Sequence, residues 1–459
     1  MKREKGPAPR DARAVSPARI IAVSFAIVIA LGTLLLLLPA CTAPGKRTTF
    51  LDALFTATSA SCVTGLVTVD TGTHWSTAGQ LVIMLLLQIG GLGLVTFTTF
   101  FHVMIGRRLG LRSRLLAQES VNGTGLENIT LLVRMVVTAS LLFELTGALI
   151  LSTVFVPKYG MRGVFLAVFL SVSAFCNGGM DPLGFEEPFI SLCGYSSAPV
   201  VLAVIMALII VGGLGFVVWS ELAEYRLRHK LSLHTRVVLI GSTALILLGA
   251  LLILLLEHDN PATLGPMNWG DKLLNALFGS VTCRTAGFNT FDLAGMRGGT
   301  KVLFCVLMFI GACPGSTGGG IKVTTFAVVM MTVWCVVRGN SETVILRRRV
   351  TQEAVYKALA ILVISLLAVA LCSGTIMLVM EDYHLPASGL DVFFEAVSAF
   401  GTVGLSSGVT AAANIPARVV LIFVMYLGRV GPVSFALALA TRPVRDRNVV
   451  LPEGRIAVG

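Results

Sequence analysis

The sequence is short of charge, and that shortage sets its class. Charged residues make up 13% of the 459 residues, about half of the ~25% that soluble domains carry. Hydrophobic residues make up 55%, and several apolar runs exceed the ~18 residues that indicate a transmembrane helix. A disordered chain is excluded, because such chains are polar and highly charged. The sequence therefore predicts a protein that crosses a membrane several times.

Signatures of metal-dependent and nucleotide-dependent enzymes are also missing. The nine cysteines include no C-x-x-C pair and the six histidines no H-E-x-x-H motif, so neither a zinc site nor a disulfide framework is expected. The segment Gly320-Ile321-Lys322 does not fit a phosphate-binding loop, which requires Lys directly after Gly. We therefore expect no enzymatic activity and no cofactor held by this chain.

Eight segments are long and apolar enough to cross a bilayer core of ~30 Å. For the first of them, a cleaved signal ending near Ala40-Cys41 is the alternative, but the run is long enough to span. Four shorter segments fit re-entrant half-helices, since ~12 residues cannot cross the core. The predicted spans are 18–39, 79–105, 129–156, 197–220, 236–256, 301–337, 354–380 and 416–440, and the half-helices are 49–61, 163–176, 270–282 and 389–400.

The short segments are four copies of one unit. Each ends in a glycine followed by an apolar residue, and the span after it has a central glycine. The sequence thus predicts an all-α membrane protein of four M1–P–M2 repeats (span, pore helix, span), with eight transmembrane helices and four re-entrant pore helices in pseudo-fourfold symmetry around one pore. The glycines that end the short segments are Gly65, Gly179, Gly287 and Gly404, and those in the spans are Gly90, Gly212, Gly311 and Gly428.

The glycine-ended segments have the chemistry of a cation filter. A half-helix that returns by extended chain exposes backbone carbonyl groups, which must line protein or water. Four such strips at one axis would form rings of carbonyl oxygens that replace the hydration shell of a cation, and glycine permits the positive φ that such a strip uses. We expect Asp181, two residues after Gly179, to form part of an outer mouth. The alternative is ordinary glycine-rich helix packing, which the fourfold recurrence disfavours.

The distribution of basic residues predicts the orientation. With the N-terminus inside, roughly two-thirds of the 35 Lys and Arg lie in the cytoplasmic loops and tails. Both termini are therefore expected in the cytoplasm, and the half-helices should enter from outside. The net charge of +11 then reflects the basic residues of the cytoplasmic loops and does not indicate a nucleic-acid-binding protein. The run Arg347-Arg348-Arg349 is interpreted first as a topology signal and headgroup contact, with docking of a regulatory subunit as the alternative.

The sixth apolar stretch predicts a gate. The range 301–337 is too long for one span, and its middle, Gly311 to Gly320, holds the glycines and the proline that break a helix. Arg429 lies inside the last span, where a charge is costly and functional by default. We expect its guanidinium to donate to carbonyl groups of the broken loop and to oppose cation passage. The alternative is an ion pair with Glu144.

Four segments carry a resemblance to a known family: residues 58–66, Arg284-Thr285-Ala286-Gly287-Phe288-Asn289-Thr290, residues 314–322 and residues 428–432. Together they resemble the Trk/Ktr/HKT superfamily of potassium transporters, and most of all the bacterial Ktr membrane subunit, over about residues 18 to 440. The resemblance implies a monomer with its own pore, a homodimer, and a cytoplasmic nucleotide-binding regulatory subunit docked beneath it.

The resemblance also assigns roles to residues. Gly65 favours potassium, because sodium-preferring plant relatives often have Ser there. The second strip has an extra glycine, Gly178, where relatives more often have Ala. Cys62 and Cys176, at matching repeat positions, are expected to be small buried supports. The implied potassium-binding backbone comprises Val63, Thr64, Gly65, Asn177, Gly178, Gly179, Thr285, Ala286, Gly287, Thr402, Val403 and Gly404. The implied gate comprises Gly311, Pro314, Gly315, Ser316, Thr317, Gly318, Gly319, Gly320, Lys322 and Arg429.

The expected function is potassium uptake across the cytoplasmic membrane. A sodium-permeable or weakly selective pore of the same fold is the alternative, and a membrane receptor or scaffold without conduction is the competitor from another class. The predicted organisation is an N-tail (1–18), repeat A (19–105), repeat B (129–225), repeat C (235–337, with the loop 311–320), repeat D (353–440) and a C-tail (441–459).

Overall fold

The fold is that of a computed structural model, which describes residues 17–93, 129–382 and 388–432. Most of the predicted N-tail, the end of the second span, the end of the eighth span and the C-tail lie outside the described residues. The helices are α1 Pro17–Leu36, α2 Phe50–Ser61, α3 Thr71–His74, α4 Thr77–Leu92, α5 Ile129–Tyr159, α6 Met161–Phe175, α7 Pro199–Leu214, α8 Phe216–Arg228, α9 Leu233–Glu257, α10 Trp269–Thr282, α11 Gly298–Phe309, α12 Val323–Val337, α13 Gln352–Asp382, α14 Gly389–Gly401, α15 Val409–Ala412 and α16 Ile415–Val430. Two strands, β1 Val344–Ile345 and β2 Arg348–Arg349, form an antiparallel hairpin between α12 and α13.

Among the residues that the structure describes, four helices are each long and apolar enough to cross a membrane. They are α1, α5, α9 and α13, and each is the first span of a predicted repeat. Their outward faces carry exposed leucine side chains, such as those of Leu142, which is 63% exposed, and Leu149, which is 62% exposed. Such faces are expected where the surrounding medium is hydrocarbon.

Within the described ranges, the helices of the second spans are shorter than these four or are interrupted. The prediction of a break within 301–337 is met by the gap between α11 and α12. The predicted span 197–220 is not one straight helix, because the chain bends by 96° between α7 and α8. The bend is at Gly215, whose φ of 98° ends an α-helix. Helices α4 and α16 also end at glycines of positive φ, Gly93 and Gly431.

The four predicted half-helices are α2, α6, α10 and α14, and their ends agree with the prediction within two residues. Three of them begin at a polar cap whose side chain accepts a backbone N–H in the first turn, namely Thr49, Asn268 and Ser388. Helix α6 instead follows α5 after Gly160 alone, at a φ of 59°. The half-helices lie in the core, where Phe55, Phe169, Phe278 and Phe394 are fully or almost fully buried.

Candidate functional site

The chain after each half-helix has the same backbone conformation in all four copies. The residue two before each glycine has a left-handed φ, which is unusual for any residue except glycine and a marked outlier for β-branched ones. The glycine itself also has a positive φ. The four strips therefore share the same pair of positive φ values, two residues apart. The φ values are 55° at Val63, 59° at Asn177, 68° at Thr285 and 51° at Thr402, followed by 95° at Gly65, 62° at Gly179, 83° at Gly287 and 93° at Gly404.

Hydroxyl groups of the half-helices hold this conformation. In the first and fourth copies, Ser59 Oγ and Ser398 Oγ accept hydrogen bonds from the N–H groups of the strip glycines at 3.0 and 3.1 Å. In the second copy, Ser173 Oγ donates to the carbonyl of the residue after the glycine, at 2.7 Å. Thr282 Oγ1 does the same in the third copy, at 2.6 Å. These local bonds offset the cost of the unusual φ values.

The four strips contact one another in a closed ring. A Cβ atom added to any of the four glycines would overlap a backbone carbonyl oxygen of the next strip in chain order, and the fourth strip contacts the first in the same way. The closeness of these contacts explains why glycine occupies all four positions. The pairs are Gly65 with the carbonyl oxygen of Gly178, Gly179 with Ala286, Gly287 with Val403 and Gly404 with Thr64.

Packing also explains two features of the second strip. A Cβ on Gly178 would overlap the side chain of Leu87, so the extra glycine makes room for α4. Cys176 is fully buried and lies against Gly91, and Cys62 is fully buried as well. Within the described residues no group of three His, Cys, Asp or Glu side chains could hold a metal ion. The burial of both cysteines is what the expected supporting role requires.

A cavity of about 290 Å³ adjoins the ring. The four strip glycines line it, and so do the carboxylates Asp70, Asp181 and Asp292. Asp70 Oδ2 accepts the N–H of Phe189 at 2.9 Å, which joins the loop after the first strip to the loop after the second. Burial raises the pKa of Asp181 to about 7. A mouth with acidic walls raises the local concentration of cations.

The broken stretch of the third repeat folds against the ring. Gly318 lies against the Thr285 side chain and Gly319 against that of Thr402, so the loop contacts two of the strips. The loop closes on itself, since the N–H of Gly311 donates to the carbonyl of Ile321 at 2.9 Å. The other loop residues named above, Pro314, Gly315, Ser316, Thr317 and Gly320, lie between these points.

The same loop is fastened to the end of α7. The carbonyls of Gly212 and Gly213 accept the N–H groups of Thr317 at 3.3 Å and of Cys313 at 3.1 Å. The N–H of Phe216 donates to the carbonyl of Gly315 at 2.7 Å. The bend at Gly215 thus belongs to the segment that the loop is hydrogen-bonded to, and this explains why α7 and α8 do not form one straight helix.

Two partly buried cationic side chains donate hydrogen bonds to carbonyl groups of the loop. The Arg429 guanidinium donates to the carbonyl oxygens of Thr317 and Gly90, and Lys322 Nζ donates to that of Gly318 at 2.6 Å. Glu144 accepts from Gln88 Nε2 at 3.0 Å. An Arg429–Glu144 ion pair is not formed in the described part of the chain, so that alternative is wrong. Arg429 therefore ties α4 and α16 to the loop.

Sequence analysis gave no role to two charged residues that the structure brings to the strips. Arg284, just before the third strip, is buried and donates to the Ser242 carbonyl at 3.3 Å and to Cys313 Sγ at 3.8 Å. It thereby links a strip to the broken loop. Glu395, in α14, is fully buried and accepts hydrogen bonds from the chain that follows the fourth strip. The available signal was a charge in an apolar half-helix, because an ionisable residue within a membrane is costly and marks a functional position, as at Arg429.

Comparisons with known proteins identify the family and the fold. The family described as "TrkH: Cation transport protein" matches residues 6–449. The Ktr system potassium uptake protein B of Bacillus subtilis is 41% identical over 445 residues, covering 97% of this chain and 97% of that protein. The potassium/sodium uptake protein NtpJ of Enterococcus hirae is 36% identical over 454 residues, covering 98% and 99%. The crystal structure of the potassium transporter TrkH from Vibrio parahaemolyticus has the same fold, with a TM-score of 0.70 at 19% identity over 95% of this chain and 87% of that chain.

Proposed function

The chain belongs to the TrkH family of cation transport proteins, and from that premise we propose that it takes up potassium across the cytoplasmic membrane. Membership makes it a multi-pass membrane transporter and not an enzyme. The observation that carries the proposal is the closed ring of four strips that share one backbone conformation. Rings of backbone carbonyl groups replace the water around a potassium ion.

The proposed pore consists of four M1–P–M2 repeats in pseudo-fourfold symmetry around the ring. Ions enter from the acidic outer cavity, lose water at the strips and reach the broken loop. The ligands are the backbone carbonyl groups of the twelve strip residues named above. The half-helices end beside the strips, and the partial negative charge of their C-termini favours cations. The membrane potential drives inward movement by ~2.3 kcal/mol per elementary charge per 100 mV.

The proposed gate is the loop from Gly311 to Gly320. Its closed position is supported by the bonds from Arg429 and Lys322 and by its seat on α7. Two cationic side chains beside the ion path add an electrostatic barrier. Opening requires the hydrogen bonds between the loop carbonyls and Arg429 and Lys322 to break. These two donors lie on α16 and at the start of α12, so a movement of the cytoplasmic ends of these helices should change conduction.

Regulation and assembly belong to the same proposal. Both termini lie in the cytoplasm, as the basic loops indicate. The chain forms a homodimer and binds a cytoplasmic nucleotide-binding regulatory subunit, which is consistent with relatives described as parts of a Ktr system. Lipid headgroups contact the basic hairpin that contains β2. No cofactor is needed in this chain, and potassium is its cargo.

A sodium-permeable or weakly selective pore is the second candidate, favoured by the 36% identity to a potassium/sodium uptake protein. Uptake of labelled potassium and sodium into proteoliposomes, driven by an imposed potential, separates the two. Selective conduction predicts potassium uptake at least about tenfold above sodium uptake. Equal uptake supports the second candidate. Absence of uptake, even after deletion of residues 315–319, contradicts transport and favours a receptor or scaffold.

A further inference from the structure

Glu395 has no counterpart in the other half-helices. It lies nine residues before the glycine of its strip, and the matching positions are Thr56, Leu170 and Phe278. Its side chain is fully buried. Burying a carboxylate costs free energy unless its oxygens receive hydrogen bonds. A buried glutamate at this position therefore needs a structural or functional explanation.

Hydrogen bonds from one short segment satisfy this carboxylate. Oε1 accepts the hydroxyl of Ser406 at 2.5 Å, the N–H of Ser407 at 3.1 Å and the N–H of Thr410 at 3.4 Å. Oε2 accepts the hydroxyl of Thr410 at 2.8 Å. Among the ion pairs of the described residues, none includes Glu395. The carboxylate is thus held by neutral donors, all of which lie within six residues after Gly404.

The segment just after the fourth strip differs in its hydrogen bonds from the loops after the other three strips. The loops after the first three strips are cross-linked: Asp70 accepts the N–H of Phe189, and Asn289 bonds to Ser191 Oγ and to the N–H of Leu192. Within the described part of the chain, the hydrogen bonds of Ser406 and Ser407 remain inside the fourth repeat. These two serines also line the outer cavity beside Gly404.

We propose that Glu395 is a positioning residue for ion selection, which fixes the chain after Gly404 and so sets the spacing of the carbonyl groups in the fourth strip. The inference rests on the proposed potassium uptake. Buried donors left without an acceptor would draw the segment toward water, and the Gly404 backbone, which abuts the first strip, would move with it. A wider ring coordinates a dehydrated potassium ion less well and discriminates less against sodium.

The test compares E395A, E395Q and wild type by the ratio of potassium to sodium uptake into proteoliposomes. E395A should lower the ratio about tenfold, since four donors lose their acceptor. E395Q keeps an amide oxygen for Ser406, Ser407 and the Thr410 N–H, and the Thr410 hydroxyl can turn to accept from the amide. It should therefore retain a ratio within about threefold of wild type. A purely structural role would lower the amount of folded protein without moving the ratio.

Glu257 provides the matched control. It is also fully buried and accepts four hydrogen bonds, from Asn260 and Thr263 at 2.5 Å, from the Arg297 N–H at 3.0 Å and from Thr300. Its partners lie in the loop after α9 and at the start of α11, and the nearest of them along the chain, Arg297, is ten residues after Gly287. E257A should reduce thermal stability and leave the ratio unchanged.

The outcomes are distinguishable from failure of the proposed function. If wild type selects potassium and E395A keeps its ratio, the positioning role is overturned while potassium uptake stands. An equal loss of the ratio in E257A would also overturn it. Where E395A does not fold, S406A and T410V each remove one donor and should lower the ratio about threefold. Unchanged ratios in both would count against the proposal.

Discussion

At the residue scale, the strip glycines are required by contact more than by flexibility. Gly65 has a φ of 95°, and a Cβ there would lie 2.5 Å from the carbonyl oxygen of Gly178. Gly45 has a comparable φ of 79° but nothing within 4 Å of the added atom. The two positions therefore separate the effect of backbone strain from the effect of crowding the ring.

We predict that Gly65→Ser lowers the potassium-to-sodium uptake ratio by about tenfold, because the side chain must displace the neighbouring strip. Gly45→Ser serves as the control and should leave the ratio unchanged. The measurement is dual-ion uptake in proteoliposomes at matched protein density. Retained selectivity in Gly65→Ser would show that Gly65 does not belong to the filter.

At the element scale, the third repeat differs from the other repeats because the loop in its broken helix contacts α7 and two of the strips. The loop bonds to α7, contacts two strips and receives donors from Arg429 and Lys322. An arginine is suited to this task because its five N–H donors can serve several carbonyl groups at once. Here one guanidinium reaches both the loop and Gly90 of α4.

We predict that Arg429→Ala raises cation flux by at least about threefold, because it removes the donor that holds the loop and a positive charge near the ion path. Deletion of Gly315–Gly319 should act in the same direction. Arg297→Ala, at the exposed start of α11, is the control and should leave flux unaltered. Flux that stays the same or falls in the first two variants, with normal membrane expression, would contradict a gate.

At the scale of the whole molecule, polar contacts join neighbouring repeats at the starts of the half-helices. Arg418 Nη1 of the fourth repeat lies 3.0 Å from Asp52 Oδ1 of the first. Lys301 of the third repeat pairs with Asp391 of the fourth at 2.7 Å, and Ser197 of the second donates to Asp271 of the third at 2.8 Å. The pair of Asp52 and Arg418 joins the first repeat to the last and so closes the circle of repeats around the strips.

We predict a coupling free energy of about 1–2 kcal/mol between Asp52 and Arg418, because both side chains are largely buried and, among the ion pairs of the described residues, neither takes part in a second one. A double-mutant cycle of D52N and R418A, measured by unfolding in detergent, tests it. The exposed pair of Glu342 and Arg349, at 2.9 Å, is the comparison and should couple by less than about 0.5 kcal/mol. Equal coupling in both pairs would refute the closing role.

Much of this organisation follows from local sequence. The half-helices are predictable within two residues because their length, caps and final glycine are local properties of the chain. The bend at Gly215 could not be predicted from the sequence, because the apolar run continues through it. The φ of Gly215 depends on contact with the loop of the third repeat. Sequence analysis misses Glu395 and Arg284 because their roles depend on hydrogen bonds that only the folded chain shows, from residues 406–410 to Glu395 and from Arg284 to Ser242 and Cys313.

The low charge and long apolar runs by themselves determined that this chain lies in a membrane, because bare backbone and charged groups are excluded from hydrocarbon. The fourfold recurrence of a half-helix and a glycine determined that its strips are equivalent. Only the tertiary structure decided that the strips close into a ring and that Arg429 holds the loop instead of pairing with Glu144. Such choices depend on which backbone groups are left without a partner once all the helices have packed, and no single segment of sequence contains that information.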